Sequence, residues 1–460
     1  MNNTHFMSAT FDDTLINKYN LSAPRYTSYP TALELSPIAD DTEQQILTQK
    51  DPNVPLSLYI HIPFCRHLCY YCGCNKIITK KNSDAGDYLD YLFKEILHKK
   101  SQLKGTPIVK QVHLGGGTPT FLSDDELVKL WQFLQHEFNF APDGDYSVEI
   151  DPRELRADTL SVLHKLGVNR LSFGVQDLDE TVQIAVNRVQ PTHLIEQVMA
   201  ESRRLGFGSV NIDLIYGLPH QSIDSMARTV QTIIALSPDR LSVFNYAHLP
   251  ERFAPQRRIN NDDLPSPADK LTMFKNTINA LMDAGYQYIG IDHFARPDDE
   301  LAKAQRDGKL HRNFQGYTIL GECDLLGFGV SSISQIGRHI TQNPTTLTDY
   351  QAKITDGKLP AVKHLTKSDN DTIRNHIIMS LLCHDCLDFQ EVSERFAIDA
   401  RTHFAKELDR LQGMADDGLL VLTDWGVQIL PKGRILGRNI ASVFDEYLAK
   451  KHAKRFSKVI

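Results

Sequence analysis

Three closely spaced cysteines constrain this chain more than any other feature. Cys65, Cys69 and Cys72 form a C-x₃-C-x₂-C run directly after an apolar stretch that predicts a β-strand. Three thiolates on one loop can hold three corners of an iron–sulfur cube and leave its fourth iron without a protein ligand. We therefore expect a cluster whose open iron is a reaction site.

Two other interpretations compete with a cluster. A structural zinc ion normally takes four protein ligands in two closely spaced pairs, and no second pair stands nearby in the sequence. Free cysteine is often simply buried, but four of the seven cysteines fall within ten residues once Cys74 is included. The spacing favours the cluster. Cys74 is too close to Cys72 to bind the same cube in its usual geometry, and a buried thiol is the alternative for it.

Composition limits the class of protein. The chain has 460 residues, 41% of them hydrophobic, enough for one large domain and one or two smaller ones. The 50 Lys and Arg residues against 57 Asp and Glu give a net charge of −7, which argues against general attraction to nucleic acid or to an anionic membrane. Because no basic and apolar leader pattern and no run of 18 apolar residues occurs, we expect a cytoplasmic protein.

Short apolar runs alternate with amphipathic segments between residues 55 and 295, which predicts βα units around a parallel sheet. The predicted strands cover residues 56–61, 109–114, 146–150, 170–175, 210–214, 241–245 and 288–292. Helices are predicted over 87–97, after a capping box at Ser123 and after Ser266. The fold class is therefore α/β, a full or partial (β/α) barrel, whose active site lies at the carboxyl ends of the strands.

The first of these helices has one apolar face. The residues predicted to face the core are Tyr88, Leu89, Leu92, Phe93, Ile96 and Leu97.

The chain divides into three predicted parts. Residues 1–54 form an N-terminal arm with one short helix, and its proline-bounded stretch 24–30 is irregular. Residues 55–340 form the catalytic barrel, and 365–460 form a small, mainly helical domain with a hairpin across the turn at 424–426. Helices with a hairpin resemble a winged helix, but the basic residues there lack an evident reading face, which favours a lid over DNA binding. These basic residues are Lys432, Arg434, Arg438, Lys450, Lys451, Lys454 and Arg455.

The remaining cysteines carry weaker signals. Cys383 and Cys386 have the C-x-x-C spacing of redox and zinc motifs, but no partner pair accompanies them. Cys323 stands alone in the sequence. We expect all three to be structural.

Glycine-rich and polar sequences follow the predicted strands. GGGTPT at 115–120 leaves the backbone open to a ligand, although a tight turn explains three glycines equally well. Glu149, Gln176 and Asp213 stand at successive strand ends. Any one of them could cap a turn, but together they offer the acceptors that a hydroxyl-rich ligand such as ribose needs.

The C-x₃-C-x₂-C run resembles the signature of the radical S-adenosylmethionine (SAM) superfamily, and GGGTPT looks like the motif that contacts the SAM amino group there. The resemblance implies a 4Fe-4S cluster whose open iron chelates SAM and passes it one electron. SAM then breaks into methionine and a 5′-deoxyadenosyl radical. No side chain is expected to be catalytic, because that radical does the chemistry.

Motifs along the whole chain resemble one family in that superfamily, the oxygen-independent coproporphyrinogen III oxidases (dehydrogenases) of heme biosynthesis. They are YTSYPTA at 26–32, HIPFC at 61–65, CGCN at 72–75, GGGTPT at 115–120, SVFNYAHL at 242–249, DHFARP at 292–297 and HRNFQGY at 311–317. The resemblance implies oxidative decarboxylation of two propionates of coproporphyrinogen III to vinyls, which gives protoporphyrinogen IX. It also implies two SAM molecules and a flavodoxin-type reductant. We expect a monomer.

A heme chaperone is the alternative within the same superfamily. The chaperone relatives look similar through the cysteine motif, but they typically lack the fourth cysteine and the long N-terminal arm. Having both favours the oxidase.

The resemblance also assigns site residues by position. The cluster ligands would be Cys65, Cys69 and Cys72. The cluster-bound SAM would lie against Tyr59, Gly116, Glu149 and Ile333. A second SAM would lie near Tyr71, Gly117, Thr118, Gln176, Arg188, Asp213 and Ala247. Position 71 is Tyr where the best-known members have Phe, so the ring is kept and only its polar edge differs. Candidates for the substrate propionates are Arg25, Arg296, His311 and Arg312.

Overall fold

The computed structural model describes residues 9–21, 23–39 and 41–450. Lys451, Lys454 and Arg455, three of the basic residues noted above, lie outside the described residues. The described strands, in chain order, are β1 (Ser36–Pro37), β2 (Leu56–Ile62), β3 (Phe64–Cys65), β4 (Ile77–Ile78), β5 (Ile108–Gly116), β6 (Asn139–Ile150), β7 (Arg170–Gln176), β8 (Ser209–Tyr216), β9 (Arg240–Asn245), β10 (Gln287–Gly290), β11 (His293–Ala295), β12 (His311–Asn313), β13 (Gly316–Thr318), β14 (Asp324–Phe328), β15 (Ile333–Ile336), β16 (His339–Gln342), β17 (Lys363–Thr366), β18 (Cys386–Asp388), β19 (Leu420–Leu422) and β20 (Gly426–Ile429).

Helices connect these strands and make up most of the last part of the chain. They are α1 (Asp13–Tyr19), α2 (Thr42–Gln49), α3 (Ser83–Gln102), α4 (Asp124–Glu137), α5 (Thr159–Lys165), α6 (Glu180–Ala185), α7 (Thr192–Leu205), α8 (Ile223–Leu236), α9 (Pro267–Asp283), α10 (Glu300–Arg306), α11 (Leu347–Thr355), α12 (Asp369–His384), α13 (Phe389–Phe396), α14 (Ala400–His403), α15 (Ala405–Asp416), α16 (Gly437–Ser442) and α17 (Glu446–Lys450). No helix within the described ranges is both long and apolar enough to cross a membrane.

The larger of two compact units comprises Leu35–Asp269 and Glu322–Thr366. Its main sheet has the strand order β1-β17-β16-β15-β14-β2-β5-β6-β7-β8-β9. Neighbours from β14 through β2 to β9 are parallel, and the strands from β14 back to β1 pair antiparallel. The predicted α/β class with a βα repeat is confirmed, and within this unit the sheet is open, the partial form of the barrel.

The strand alternation decides which side chains reach the ligand face of the sheet. In β2, Leu56, Leu58, Ile60 and Ile62 are completely buried. Tyr59 and His61 point to the opposite face, because successive side chains in a strand alternate. The same alternation in β6 puts Ser147 and Glu149 on one face. Polar groups therefore gather on one side of the sheet and the apolar core lies on the other.

The smaller compact unit comprises the described residues of Met1–Glu34, Lys270–Gly321 and Lys367–Ile460. It contains the hairpins β10–β11 and β12–β13 and the small antiparallel sheet β18-β20-β19 among helices. The predicted C-terminal hairpin is present as β19 and β20, and β18 adds a third strand that the pattern did not predict. Both units are discontinuous in sequence, whereas the predicted division at 54, 340 and 365 follows chain order and stays a prediction.

Three local predictions were wrong. Leu97, predicted to face the core, is 45% exposed, because it lies to the side of the packed face of α3, which carries the buried Leu92, Ile96 and Lys99. The strand predicted over 288–292 ends at Gly290, because φ values of +144° at Gly290 and +56° at Ile291 turn the chain back into β11. The described residues of the arm contain two short helices rather than one, α1 and α2, while its stretch 24–30 is irregular as predicted.

Candidate active site

The three clustered cysteines lie on a loop that follows β2, the first strand of the parallel series. The loop is closed at its base by the β3–β4 ladder, in which Cys65 pairs with Ile78. The amide of Ile77 also donates to the carbonyl of Pro63 at 2.7 Å, and the amide of Cys72 donates to the carbonyl of Cys69 at 3.2 Å. Cys69 is buried, and Cys65 and Cys72 are half-buried. The local backbone thus presents three thiols on one short loop.

Two guanidinium groups reach the sulfur of Cys69. Arg153 Nη2 and Arg188 Nη1 each lie 3.5 Å from Cys69 Sγ. Asp151 orients both, with its Oδ2 2.7 Å from Arg153 Nη2 and 2.9 Å from Arg188 Nη1. Burial alone would raise the pKa of Asp151, but the two arginines outweigh burial and lower it to about 2. The carboxyl is therefore ionised at neutral pH and holds both cations beside the thiol.

The thiols of the loop differ in acidity. Burial raises the pKa of Cys65 to about 12, and its sulfur lies 3.6 Å from Thr118 Oγ1. A hydrogen bond from Cys74 lowers the pKa of Cys72 to about 6, against the effect of burial and with the help of the Lys76 charge. Cys74 itself is exposed. The buried-thiol interpretation of Cys74 was therefore wrong, and the Cys74 side chain instead forms a hydrogen bond with Cys72, a candidate ligand.

The glycine run at the end of β5 passes close to the cysteine loop. Gly117 donates its amide to the carbonyl of Ile62 at 2.8 Å, and Thr118 donates to the carbonyl of Phe64 at 2.8 Å. A Cβ at position 117 would lie 2.7 Å from the Phe64 carbonyl oxygen. Gly116 has φ +114°, and a Cβ there would lie 2.6 Å from the His61 ring. Both positions need glycine because a side chain would collide with the start of the cysteine loop at position 117 and with the His61 ring at position 116.

Glu149, at the end of β6, is tied to the strand before it. Its Oε1 lies 3.1 Å from His113 Nε2, and its Oε2 accepts the amide of Gly116 at 3.2 Å. His113 Nδ1 in turn lies 2.7 Å from Ser147 Oγ. Burial would raise the pKa of Glu149, but His113 and the Gly116 amide outweigh burial and lower it. An ionised carboxylate held in this way can accept from an ammonium group.

Aromatic contacts connect this carboxylate with the cysteine loop. The Tyr59 ring stacks on the His113 ring at 5.9 Å between centroids. Tyr59 Oη lies 3.0 Å from His61 Nδ1, and His61 Nε2 lies 3.1 Å from the carbonyl oxygen of Asn75. Ile333 begins β15, whose neighbour β14 pairs Gly327 with Tyr59. Tyr59, Gly116 and Glu149 thus lie on the adjacent strands β2, β5 and β6, and Ile333 lies on β15, which β14 separates from β2.

The residues assigned to a second ligand are linked through other contacts. Gln256 Nε2 donates to the carbonyl of Tyr71 at 2.9 Å and to that of Ala247 at 3.2 Å. Arg188 donates to the carbonyl of Gly174, which pairs with Asp213 across β7 and β8. Asp213 Oδ1 accepts from Asn211 Nδ2 at 2.8 Å. Gln176 ends β7 with φ +71°. The structure therefore brings Tyr71 near Ala247, and Arg188 near Asp213, along consecutive strand ends.

The donor set fits an iron–sulfur cluster better than it fits isolated thiols. Three thiols stand on one loop, and two arginines and a threonine hydroxyl reach toward two of the sulfurs. Positive charge and hydrogen bonds at the sulfur are what stabilise thiolate ligands and tune a cluster. Cys383 and Cys386 lie outside this loop, in the other compact unit, where burial raises the pKa of Cys383 to about 12 and of Cys386 to about 11.

Sequence reasoning missed three residues of this region: His113, Asp151 and Arg153. Two of them carried a signal that alternation could have detected. His113 lies two residues before Gly115 on β5, and Asp151 lies two residues after Glu149, so both belong to the ligand face. Arg153 carried no such signal, since it lies in a short turn beyond β6 whose direction the strand pattern does not determine.

The four residues predicted to bind the propionates of the substrate all lie in the smaller unit. Arg25 Nη1 pairs with Asp292 Oδ2 at 2.7 Å, and Arg312 Nε donates to the Arg25 carbonyl at 3.2 Å. The Arg312 guanidinium lies 4.7 Å from the Tyr317 ring centroid, and its buried Nη1 has no hydrogen-bond partner among the residues that the structure describes. Arg25 and Arg312 are therefore neighbours. Arg296 instead stacks on Tyr286 at 5.9 Å, and His311 is exposed.

A thiol loop after the first parallel strand, a glycine turn after the second and a carboxylate after the third define a radical SAM enzyme. The pattern of the radical SAM superfamily matches residues 59–233, and that of the HemN C-terminal domain matches residues 368–436. The chain is 50% identical to an oxygen-independent coproporphyrinogen III oxidase of Pseudomonas aeruginosa, over 98% of this chain and 99% of that protein. The chain belongs to the family of oxygen-independent coproporphyrinogen III oxidases.

Two further comparisons agree with this membership. A relative of the same name from Escherichia coli is 48% identical, over 98% of each chain. The solved structure described as "Coproporphyrinogen III oxidase (HemN) from Escherichia coli is a Radical SAM enzyme" superposes with a TM-score of 0.91 and 46% identity, and covers 96% of this chain and 100% of that chain. Both the sequence and the fold therefore match end to end.

We expect Gly116→Ala to weaken SAM binding about tenfold or more. The new methyl group would lie 2.6 Å from the His61 ring at a φ of +114°, and strain of this kind costs about 1–3 kcal/mol. Anaerobic equilibrium dialysis with labelled SAM measures the dissociation constant. Gly206→Ala is the matched control, since Gly206 has φ +85° with nothing within 4 Å of its added methyl group. Equal SAM affinity in both variants would remove Gly116 from the ligand site.

Proposed function

We propose that this protein converts coproporphyrinogen III to protoporphyrinogen IX by oxygen-independent oxidative decarboxylation of two propionate side chains. One observation carries the proposal: the match to proteins of that name runs over 98% of the chain at 50% identity. The residues of the larger unit support it, because they provide the thiols and polar contacts that the chemistry requires.

The cluster and the first SAM are assigned to the contacts around the cysteine loop. We propose that Cys65, Cys69 and Cys72 hold a 4Fe-4S cluster, with Arg153 and Arg188 stabilising the charge on the sulfur of Cys69. Glu149, ionised and fixed by His113, would accept from the SAM ammonium group. Gly116 would let SAM approach the backbone, with Tyr59 and Ile333 forming apolar walls. When bound, the cluster and SAM supply the hydrogen-abstracting radical.

A second SAM molecule is also part of this proposal. Gln176 and Asp213 would accept from its hydroxyl groups, and Tyr71 would face its adenine ring. Gly117, Thr118, Arg188 and Ala247 would complete the site. The links from Tyr71 to Ala247 through Gln256 support this grouping, since one side chain holds both carbonyls.

Each turnover changes one propionate. A hydrogen atom leaves the β-carbon, the carboxylate departs as carbon dioxide, and one electron passes to an acceptor, so the side chain ends as a vinyl group. A carbon–hydrogen bond of this kind does not yield to acid or base catalysis at neutral pH, so the side chains of the protein bind, orient and exclude water rather than react.

The remaining carboxylates need cationic partners. We propose that Arg312 holds one propionate, supported by its buried Nη1, which has no hydrogen-bond partner within the described ranges. Arg25, Arg296 and His311 remain candidates for the others. Arg25 already pairs with Asp292, whose pKa its charge helps to lower against burial.

We further propose that the protein works as a cytoplasmic monomer with a flavodoxin-type reductant. Seven free cysteines support a reducing compartment, because disulfides persist where conditions are oxidising. Size-exclusion chromatography tests the monomer.

The function is tested in an anaerobic assay. Reconstituted protein receives a reductant, SAM, coproporphyrinogen III and an electron acceptor, and 5′-deoxyadenosine and porphyrinogen mass are followed together. We expect the loss of two carboxyl groups for each product molecule, in step with 5′-deoxyadenosine. If SAM is cleaved and the porphyrinogen keeps its four carboxyl groups, the assigned substrate is wrong.

A further inference from the structure

The surface beside the cysteine loop has a charge opposite to that of the whole chain. Residues 66–81 contain four Lys and Arg residues and no Asp or Glu, in a chain whose net charge is −7. Residues 250–258 add three arginines and a single Glu. Two segments far apart in sequence are therefore both basic.

Tertiary contacts bring these two segments together. Gln256 donates to the carbonyl of Tyr71 at 2.9 Å. The Arg258 guanidinium lies 5.3 Å from the Tyr70 ring centroid. A Cβ added to Gly73 would lie 3.1 Å from the Phe253 ring. The short helical turn Ala254–Arg258 thus packs directly on the loop that carries Cys69 and Cys72.

We name the six cations on this surface the basic collar. They are Lys76, Lys80, Lys81, Arg252, Arg257 and Arg258. All but the half-buried Lys76 are exposed. None forms an ion pair with a carboxylate in residues 9–21, 23–39 and 41–450. Arg66, the remaining cation of the loop, differs because it pairs with Glu154 at 2.9 Å.

The collar lies beside the point at which the cysteine loop reaches solvent. Gly73 and Cys74 are exposed, and they directly follow Cys72. Lys76 Nζ donates to the Cys72 carbonyl at 2.9 Å, so one collar charge touches the backbone of a candidate ligand. A protein seated on the collar would therefore approach the cluster position without crossing the sheet or its helices.

We propose that the basic collar is the docking surface for an acidic one-electron carrier protein. This rests on the proposed function, since SAM cleavage needs one electron for each molecule cleaved. The step would balance as a one-electron transfer: the reduced carrier would lose one electron, the cluster held by the three cysteines would gain it, and no bond would form or break. Exposed charges set around a contact point raise association rates by roughly 10- to 1000-fold.

Charge reversal within the collar tests this docking. The variant Lys80→Glu/Lys81→Glu changes two exposed lysines, and Arg252→Glu/Arg257→Glu changes two exposed arginines of the second segment. Arg252 lies 5.3 Å from the Phe253 ring centroid, and Arg257 Nε donates to the carbonyl of Pro250 at 3.0 Å. The matched control is Lys104→Glu/Lys165→Glu. Both control lysines are exposed and lie before β5 and β7, at the opposite edge of the sheet from the cysteine loop.

Two measurements are made with cluster-loaded protein. Isothermal titration calorimetry follows binding of an oxidised acidic flavodoxin at low and high salt. The rate of 5′-deoxyadenosine formation is then compared with two reductants, the reduced flavodoxin and a photoexcited neutral deazaflavin, which needs no protein docking. We expect either collar variant to weaken flavodoxin binding and flavodoxin-driven turnover at least about tenfold. Deazaflavin-driven turnover and the control variant should match the unmodified protein.

The other outcomes overturn the proposal. Unchanged flavodoxin affinity in both collar variants would exclude the collar as the docking surface. An equal loss of flavodoxin affinity in the control variant would show that only the net charge of the protein matters. A raised KM for coproporphyrinogen III with deazaflavin, at unchanged flavodoxin affinity, would assign the collar to substrate carboxylates. Failure of the proposed function is distinguishable, because then the unmodified protein gives no porphyrinogen product with either reductant while calorimetry still reports on docking.

Discussion

Cys65→Ser is expected to lose bound iron and to lower SAM cleavage at least about a thousandfold. Two thiolates cannot hold a cube that needs three protein ligands, and a serine hydroxyl does not ionise at neutral pH to replace the third. Iron and sulfide analysis after anaerobic reconstitution, with 5′-deoxyadenosine measured on the same sample, checks the result. Cys69→Ser and Cys72→Ser should behave in the same way.

Cys323→Ser is the matched control for this change. Cys323 is also half-buried and lies in the same compact unit, directly before β14, where burial raises its pKa to about 12. Its replacement should leave iron content and SAM cleavage unchanged. A Cys65→Ser protein that keeps its full iron content and cleaves SAM would move the cluster away from this loop.

Lys99→Met is expected to lower the free energy of unfolding by about 3–5 kcal/mol, the usual cost of breaking a buried ion pair from one side. Lys99 is completely buried, and its Nζ lies 2.8 Å from Glu95, 3.3 Å from Glu43 and 2.8 Å from the Gly327 carbonyl. Without the lysine, two buried carboxylates lose their counter-charge. Urea unfolding at neutral pH measures the loss.

The pH dependence of this network has a definite sign. Burial lowers the pKa of Lys99, but Glu95 and Glu43 outweigh burial and raise it above its ordinary value. A raised lysine pKa contributes stability that is fully present below about pH 10 and is lost as the pH rises through the folded-state pKa. The cost of Lys99→Met is therefore at its full value at pH 7.

Lys100→Met provides the control, since the neighbouring lysine is 37% exposed and pairs with Glu137 at 2.7 Å. A surface pair of this kind contributes at most about 1 kcal/mol. Equal unfolding midpoints for the two variants would contradict the stabilising role of the buried network. The network also matters near the site, because Glu95 accepts the Gly329 amide at 2.7 Å just beyond β14, which pairs with β2 at Tyr59.

Features that depend on neighbouring residues were predicted well. The capping box at Ser123 is present, with the Ser123 amide 2.8 Å from Glu126 Oε2 and the Glu126 amide 3.2 Å from Ser123 Oγ. The strand predicted over 170–175 is β7, Arg170–Gln176, and that over 241–245 is β9, Arg240–Asn245. Alternation and capping involve residues only a few positions apart, so the local amino-acid sequence contains the whole signal.

Predictions failed where distant contacts or backbone freedom decide the outcome. Leu97 belongs to the apolar pattern of its helix, yet it points away from the face that packs, where Ile96 and Lys99 are completely buried. Residues 288–292 read as one strand until the backbone at Gly290 turns into a hairpin. β18, only three residues long, exists because β20 pairs with it across the 37 intervening residues 389–425, with Cys386 opposite Gln428 and Asp388 opposite Gly426.

The order of residues alone was enough for the C-x₃-C-x₂-C loop, the glycine turn and the position of Glu149 at a strand end. Each of these is a feature of the local sequence, and it does not depend on which residues pair across neighbouring strands. The setting of those groups arises only on folding. Arg153 reaches Cys69 from the turn after β6, Arg188 reaches it from the segment before α7, and His113 reaches Glu149 from the neighbouring strand. Such contacts follow from strand register and helix packing, which join residues 36 to 119 positions apart and leave no mark in the spacing of either partner.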